Sequence, residues 1–385
     1  MKKIVIMSTV SYSIDTLIKC QPKYLLKYFD VVELLGADTG EVKSIYEREG
    51  IKFTPIDMQR KITPLQDLKT LYRLVKLFKE MKPDIIYTFT PKAGLLGMMA
   101  GFFAGCKTRV HHVVGMPLME AKGIKKFILT CTEKLTYLFA THIYSNSFGL
   151  KDYINQTLTK KEIKVIHHGS INGVDIDFYR DIFSEDEKKE LKSKLGFKEE
   201  DFILSFMGRI VKDKGVNELI EAFKMLNAEY DNIKLLIVGK FEQELNPISE
   251  ENKSCILENK SIKFVGFKDD LREYLTISNL FILPSYREGL PNSLIEAGSF
   301  GIPLIASNIN GCNEIIIDNK NGKLVMPKDV NSLYSVIQEL YLNQDLYKKI
   351  KNNVRESIIN RYSKEDFLEI LVDNLLSDLS VNKDT

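Results

Sequence analysis

Two segments in the second half of the chain hold the residue types best suited to chemistry. The first reads Gly208-Arg209-Ile210-Val211-Lys212-Asp213-Lys214-Gly215. It follows the apolar run Ile203–Met207 and precedes a helical pattern opening near Val216. Its glycine spacing fits neither a dinucleotide fingerprint nor a P-loop. It does set cations in a glycine-flanked turn at the end of a strand. A guanidinium grips a phosphate through two N–H groups, and a lysine adds a point charge. Together they could neutralise a leaving diphosphate without a metal. A solvated basic turn is the alternative.

The second segment reads Pro284-Ser285-Tyr286-Arg287-Glu288-Gly289-Leu290-Pro291-Asn292-Ser293-Leu294-Ile295-Glu296-Ala297, after the strand pattern Leu280–Leu283. Pro291 suits the first turn of a helix, so a helix is expected to start there. Its N–H groups would form an anion site above the sheet. Glu288 and Glu296 could face one cleft and accept hydrogen bonds from the hydroxyls of a sugar or ribose. A plain helix cap with an exposed glutamate is the alternative.

Alternating elements must position these segments. Strand patterns fall at Ile4–Met7, Val31–Leu35, Asp84–Phe89, Arg109–Val113, His142–Ser145 and Lys164–His167. In the second half they fall at Ile203–Met207, Lys234–Val238, Lys263–Val265, Leu280–Leu283, Pro303–Ala306 and Lys323–Val325. Helical patterns lie between them, which indicates βαβ units and parallel sheets. The expected fold class is therefore α/β, with two Rossmann-like, doubly wound parallel-sheet domains. Ser184-Glu185-Asp186-Glu187 has capping-box spacing, and its helix should run to Leu195 before Gly196. The expected domains are residues 1–180 and 181–360. A C-terminal helix would occupy 361–385 and could pack back on the first domain. The Ser380–Thr385 tail reads as frayed.

On these residues the chain resembles the retaining GT-B glycosyltransferases of family four. That family carries G-R-x-x-x-x-K-G, then E-G-x-P-x-x-x-x-E-A, then G-x-P. Here the matches are Gly208-Arg209…Lys214-Gly215, Glu288-Gly289-Leu290-Pro291…Glu296-Ala297 and Gly301-Ile302-Pro303. Asn310-Gly311 with Glu314 resembles the loop that follows. The resemblance implies two domains facing across a cleft, with the donor held by the second. Arg209, Lys214 and Glu288 would be the catalytic set: the two cations on the diphosphate beside Gly208, and Glu288 on donor-sugar hydroxyls. The stretch Gly289-Leu290-Pro291-Asn292 would supply backbone donors, and Glu296 would hold the ribose. Phe264-Val265-Gly266-Phe267 resembles the segment that receives the base, which places Gly266 there. Anomeric configuration would be retained, with no metal and no cofactor.

The first half resembles members acting on lipid-linked glycans in bacteria. Phe89-Thr90-Pro91-Lys92-Ala93-Gly94-Leu95-Leu96-Gly97 and Gly169-Ser170-Ile171-Asn172-Gly173-Val174-Asp175 carry this likeness. It extends to transferases that build O-antigen, capsule or glycoprotein glycans on polyprenyl diphosphate, including N-acetylgalactosaminyltransferases. A UDP-sugar donor, of N-acetylhexosamine or hexose, and a polyprenyl-diphosphate-linked acceptor are implied. The acceptor-side candidates are Ser8, Lys92 and His112. There are departures. The first loop reads Ser8-Thr9-Val10-Ser11-Tyr12 where many members are glycine-rich. Val114 stands where many carry histidine or arginine, with His111 and His112 just upstream. His111, His112, His142, His167 and His168 lack metal-ligand spacing. Asp269-Asp270 reads as a helix start rather than a metal motif.

Composition excludes other classes. The 385 residues are 44% hydrophobic and 28% charged with net charge +2, so no basic field points to nucleic acid. Five cysteines without a CxxC pair argue against a disulfide framework and fit a reducing cytoplasm. The longest apolar run, Ala93 to Cys106, is too short to span a bilayer. Two basic amphipathic segments stand out. Leu68, Leu71, Leu74, Val75 and Phe78 read as a core-facing stripe with a solvated basic back. Ile124, Phe127, Ile128, Cys131, Leu135 and Leu138, with Lys122, Lys125, Lys126 and Lys134, read as contact with an anionic membrane surface. The expected location is thus the cytoplasm, at the inner face of the plasma membrane. A GT-B nucleotide-sugar epimerase, an inactive membrane-associated scaffold and a nicotinamide dehydrogenase are competing readings. The intact motifs disfavour the first two, and the last lacks a glycine fingerprint after the first strand.

Overall fold

The computed structural model describes residues 1–61, 63–242 and 246–381. The chain divides into two compact units. One comprises Met1–Gly173 with the C-terminal segment from Lys364, and the other comprises Val174–Ser363. The units change over at 173/174 and 363/364, where the sequence reading set 180/181 and 360/361.

The first unit holds a seven-stranded sheet of β1 (Lys3–Val10), β2 (Val31–Ala37), β3 (Phe53–Pro55), β4 (Ile85–Thr88), β5 (Thr108–Val113), β6 (His142–Ser145) and β7 (Ile163–Val165). Its order is β3-β2-β1-β4-β5-β6-β7, and all pairs are parallel. The short edge strand β3 carries no pattern of its own and ends in Pro55, which an edge tolerates. Within β1 the run Ile4–Met7 is apolar without interruption because both faces are covered. Ile4 and Ile6 join a core with Phe367, Leu371 and Leu375 of the helix Lys364–Val381. Val5 and Met7 join a second core with Leu74, Phe78, Leu96 and Tyr137. The last helix is pinned by the buried Asp378, which accepts hydrogen bonds from Tyr144 Oη and Lys164 Nζ, each at 2.6 Å. It runs to Val381, so most of the tail expected to fray lies outside the described residues.

The second unit holds a six-stranded parallel sheet of β8 (Phe202–Met207), β9 (Ile233–Val238), β10 (Ile262–Phe264), β11 (Leu280–Leu283), β12 (Leu304–Ser307) and β13 (Gly322–Val325). Its order is β10-β9-β8-β11-β12-β13. The helix Glu185–Leu195 opens with both bonds of the expected capping box and stops at Gly196, whose φ is 85°. The helix Val216–Glu229 buries Leu219, Ile220, Phe223 and Leu226 at helical spacing. Asp270 accepts a hydrogen bond from Arg272 N just before the helix Arg272–Thr276, but the N-cap is Leu271 and no side chain caps the helix.

Candidate active site

In each sheet the strand order reverses once, between β1 and β4 in the first unit and between β8 and β11 in the second. Ligands of open parallel sheets bind beyond the carboxyl ends of the strands at such a point. The segment Gly208–Gly215 leaves β8, and the segment Pro284–Asn292 leaves β11. Topology therefore delivers both motif segments to one edge of the second sheet.

Close packing then joins them. Gly215 has φ +69°, and a Cβ there would stand 1.9 Å from the Pro284 carbonyl oxygen. No side chain fits that gap, so a glycine is obligatory. Gly311, at φ +77°, leaves the same kind of gap: a Cβ would reach 2.1 Å from the Gly289 carbonyl oxygen. Asn310 Nδ2 donates to the carbonyls of Glu288 and Gly289, at 3.3 Å each. The Asn310-Gly311 loop thus braces the Glu288 loop.

Asp213 bridges the two segments. Its backbone oxygen accepts from Tyr286 N at 2.8 Å, and its carboxylate accepts from Arg287 at 2.8 Å. Tyr286 Oη donates to Glu218 at 2.6 Å. With the loops so fixed, Lys214 Nζ meets Glu288 Oε1 at 2.5 Å, and both side chains are largely buried. Arg209, half exposed, pairs with Glu242 at 2.9 Å. Cys312 is wholly buried nearby; burial and the Glu288 charge push its thiol well up, so it stays protonated.

The helix after β11 spans Asn292–Ser299. Pro291 is its N-cap rather than its first residue, and no side chain caps it. Pro291 has no N–H, so of the stretch Gly289-Leu290-Pro291-Asn292 it is the one residue that cannot donate. The N-terminal end carries the partial positive charge of the helix dipole. Glu296 lies about one turn into this helix. Burial pushes its carboxyl up to about 7, and a hydrogen bond with Tyr179 opposes that. Tyr179 had no signal in the sequence, since the fold alone brings the segment before Ser184 to this helix. Gly266, at φ +74°, accepts a hydrogen bond from Gly239 N at 2.9 Å. Beside it, Phe241 and Phe264 meet edge to face at 5.1 Å, and Phe267 is exposed.

The acceptor-side candidates lie at the first sheet. Ser8 is buried, and its Oγ donates to the Val10 carbonyl at 2.6 Å. Lys92 is turned onto Asp67 at 2.7 Å, Thr63 at 3.2 Å and the Lys61 carbonyl. His112 is fully buried, with Nδ1 2.7 Å from Tyr87 Oη, and burial pushes it down to about 3. It is a neutral core histidine. Ser8 and His112 are buried and Lys92 is paired with Asp67, so the structure does not present these three side chains in one open site.

Known proteins resemble this chain over most of its length. A family model described as "Glycosyl transferases group 1" matches residues 187–357, and one described as "Glycosyl transferase 4-like" matches residues 11–147. The capsular polysaccharide biosynthesis glycosyltransferase CapM of Staphylococcus aureus is 32% identical, covering 96% of each chain. The UDP-Gal:alpha-D-GlcNAc-diphosphoundecaprenol alpha-1,3-galactosyltransferase of Escherichia coli is 28% identical, covering 92% of this chain and 90% of its own. HepE of Anabaena, solved in complex with UDP, shares the fold with a TM-score of 0.81 at 23% identity, covering 98% of this chain and all of that one.

Proposed function

Because this chain belongs to the group 1 glycosyltransferases, with the two-sheet architecture of the GT-B fold, we propose that it moves a hexose or N-acetylhexosamine from a UDP-sugar to a glycan on polyprenyl diphosphate. The transfer would serve bacterial surface-glycan or glycoprotein synthesis, at the inner face of the plasma membrane. The observation that carries this reading is the meeting of Lys214 and Glu288 at the switch point of the second sheet.

The diphosphate lies against Lys214, Arg209 and the N-terminal end of the helix Asn292–Ser299. As the bond between the anomeric carbon and the phosphate oxygen breaks, negative charge grows on that oxygen. The two cations and the helix dipole stabilise it, and no metal is needed. Glu288 leaves its ion pair to accept donor-sugar hydroxyls, and ionised Glu296 accepts the ribose hydroxyls. The acceptor oxygen bonds to the anomeric carbon from the face the diphosphate leaves. Its proton passes to the departing phosphate oxygen, and configuration is retained.

The test has two readouts, both in EDTA. UDP and one UDP-sugar should raise the melting temperature of the protein, since a ligand bound only to the folded state stabilises it by about 2.7 kcal/mol at a hundredfold excess over Kd. The shift should be lost in Arg209→Ala. Turnover with a lipid-diphosphate acceptor should give a product of retained anomeric configuration. No nucleotide shift, a shift that needs added metal, or an inverted product would each sink the corresponding part of the reading. Conversion of the UDP-sugar without any acceptor would make the chain an epimerase.

A further inference from the structure

The helix Gly123–Phe139 is built inside out. A surface helix normally turns its apolar stripe to the core and its polar face to water. This one buries Glu133, Thr136 and Tyr137. It exposes Ile124 (81%), Phe127 (70%), Leu138 (65%), Ile128 and Leu135. The stripe cannot be explained as core packing. Burying Glu133 has a cost, visible in a carboxyl pushed up to about 7.

The exposed stripe continues onto its neighbours. The helices Pro64–Met81, Pro91–Ala104 and Gly123–Phe139 all feed the core on the Val5 and Met7 face of the first sheet. Phe102 and Phe103 are exposed at the end of the middle helix, and the Phe102 ring packs at a tilt against Phe139, 5.2 Å between centroids. In Pro64–Met81 the residues Leu74 and Phe78 are buried as the core-facing reading requires. The opposite side of that helix nevertheless exposes Leu65, Leu68 and Tyr72, spaced to form a second stripe. Leu68 thus leaves the core-facing set.

Charge selects the occupant. Lys122, Lys125, Lys126 and Lys134 are exposed along the inverted helix, and its one carboxylate, Glu133, points inward. Lys69, Arg73, Lys76 and Lys79 are exposed on Pro64–Met81. Interfaces between protein copies deplete lysine, and a two-fold contact would set these lysines against one another. Interfacial helices instead combine lysines with Phe, Leu and Ile. We infer that this three-helix face of the first unit docks on, and partly inserts into, an anionic lipid bilayer. The inference rests on the lipid-linked acceptor reading only for its purpose, not for its geometry.

The test uses the full-length protein and vesicles that contain no glycan acceptor. Cys131, the exposed cysteine in the same stripe, carries an environment-sensitive label, with Cys20→Ser and Cys255→Ser removing competing thiols. Phosphatidylglycerol-rich vesicles should bind the protein, shift the label to an apolar signal and shield it from aqueous quencher. Phosphatidylcholine vesicles should bind it far less. Phe127→Glu should weaken binding at least about tenfold, the scale of one lost buried aromatic. Lys125→Gln and Lys126→Gln should each weaken it about fivefold on the anionic vesicles. Each variant should keep its melting temperature and its UDP-induced shift, which separates docking from folding. Absence of vesicle binding at low salt, or binding indifferent to Phe127→Glu, overturns the inference. So does a label shielded by self-association without lipid. Any of these results leaves transfer to a short-chain, water-soluble acceptor untouched, whereas vesicle binding without transfer counts against the proposed function alone.

Discussion

The two sheets share one strand order up to their switch points, yet the mouths above those points are furnished differently. In the second unit the loops after β8 and β11 bring Lys214 onto Glu288, with Asp213, Gly215 and Gly311 holding the frame. In the first unit β1 runs straight into the helix Ser11–Leu17, and two hydroxyls fill the corresponding place: Thr9 Oγ1 lies 2.8 Å from Thr90 Oγ1. Lys92, the nearest cation in sequence, is committed to Asp67. Shared topology therefore fixes where a ligand can bind. The side chains at the strand ends decide whether the place suits a diphosphate or a neutral, hydroxyl-rich group.

The largest expected effect tests that contrast directly. Lys214→Ala should lower kcat on the order of 10²–10³, as for one preorganised charge contact in a transition state. Glu288→Ala should fall in the same range, and the double variant should be less than additive, since the partners meet. Lys92→Ala should leave kcat within about threefold and instead cost about 1.5–3 kcal/mol of stability, the scale of charged hydrogen bonds. Steady-state kinetics and urea unfolding of the three variants separate the cases. A Lys92→Ala enzyme as crippled as Lys214→Ala would erase the difference between the mouths.

A smaller effect comes from Glu296. Its free-state carboxyl is raised to about 7, while ribose hydroxyls need an ionised acceptor. Binding then expels a proton, so UDP affinity should rise about tenfold from pH 6 to pH 8, following the ionised fraction. Glu296→Gln should flatten that slope, as isothermal titration at both pH values will show. For stability the sign is opposite. A raised acid favours the folded state fully below its unfolded value, and the benefit disappears as pH rises through the folded value near 7. His111 and His112 of the first unit are no such switch: burial keeps them low, near 4 and 3, and neutral across this range.

These contrasts were unevenly legible in the sequence. The parallel sheets could be read because buried strands such as Ile4–Met7 and Leu280–Leu283 are apolar without interruption. β3 could not, because three residues ending in proline carry no period. Arg209, Lys214, Glu288 and Gly311 sit in motif segments whose spacing follows from one edge of one sheet. Asp213 stood in plain view between two lysines but carried no assigned role, since its partners Tyr286 and Arg287 come from another strand's loop. Tyr179 and Glu242 had no pattern at all. The amphipathic period of Gly123–Phe139 was legible and its lysines pointed outward, yet only the fold shows that the apolar side faces away from the core.

Glu242 supplies the smallest effect and the finest test of the second mouth. It holds Arg209 in an ion pair at 2.9 Å, with the guanidinium half exposed. A diphosphate and a carboxylate cannot share the same N–H groups at full strength, so the donor must displace Glu242 before Arg209 can grip it. An exposed pair of this kind is worth about 0–1 kcal/mol. Removing the competitor in Glu242→Gln should therefore tighten UDP by up to about fivefold, measured by titration calorimetry at fixed ionic strength. The gain should shrink in high salt, because screening weakens the exposed pair. If Glu242→Gln weakens UDP instead, the carboxylate orients Arg209 for the ligand, and the resting pair is part of the binding geometry rather than a rival to it.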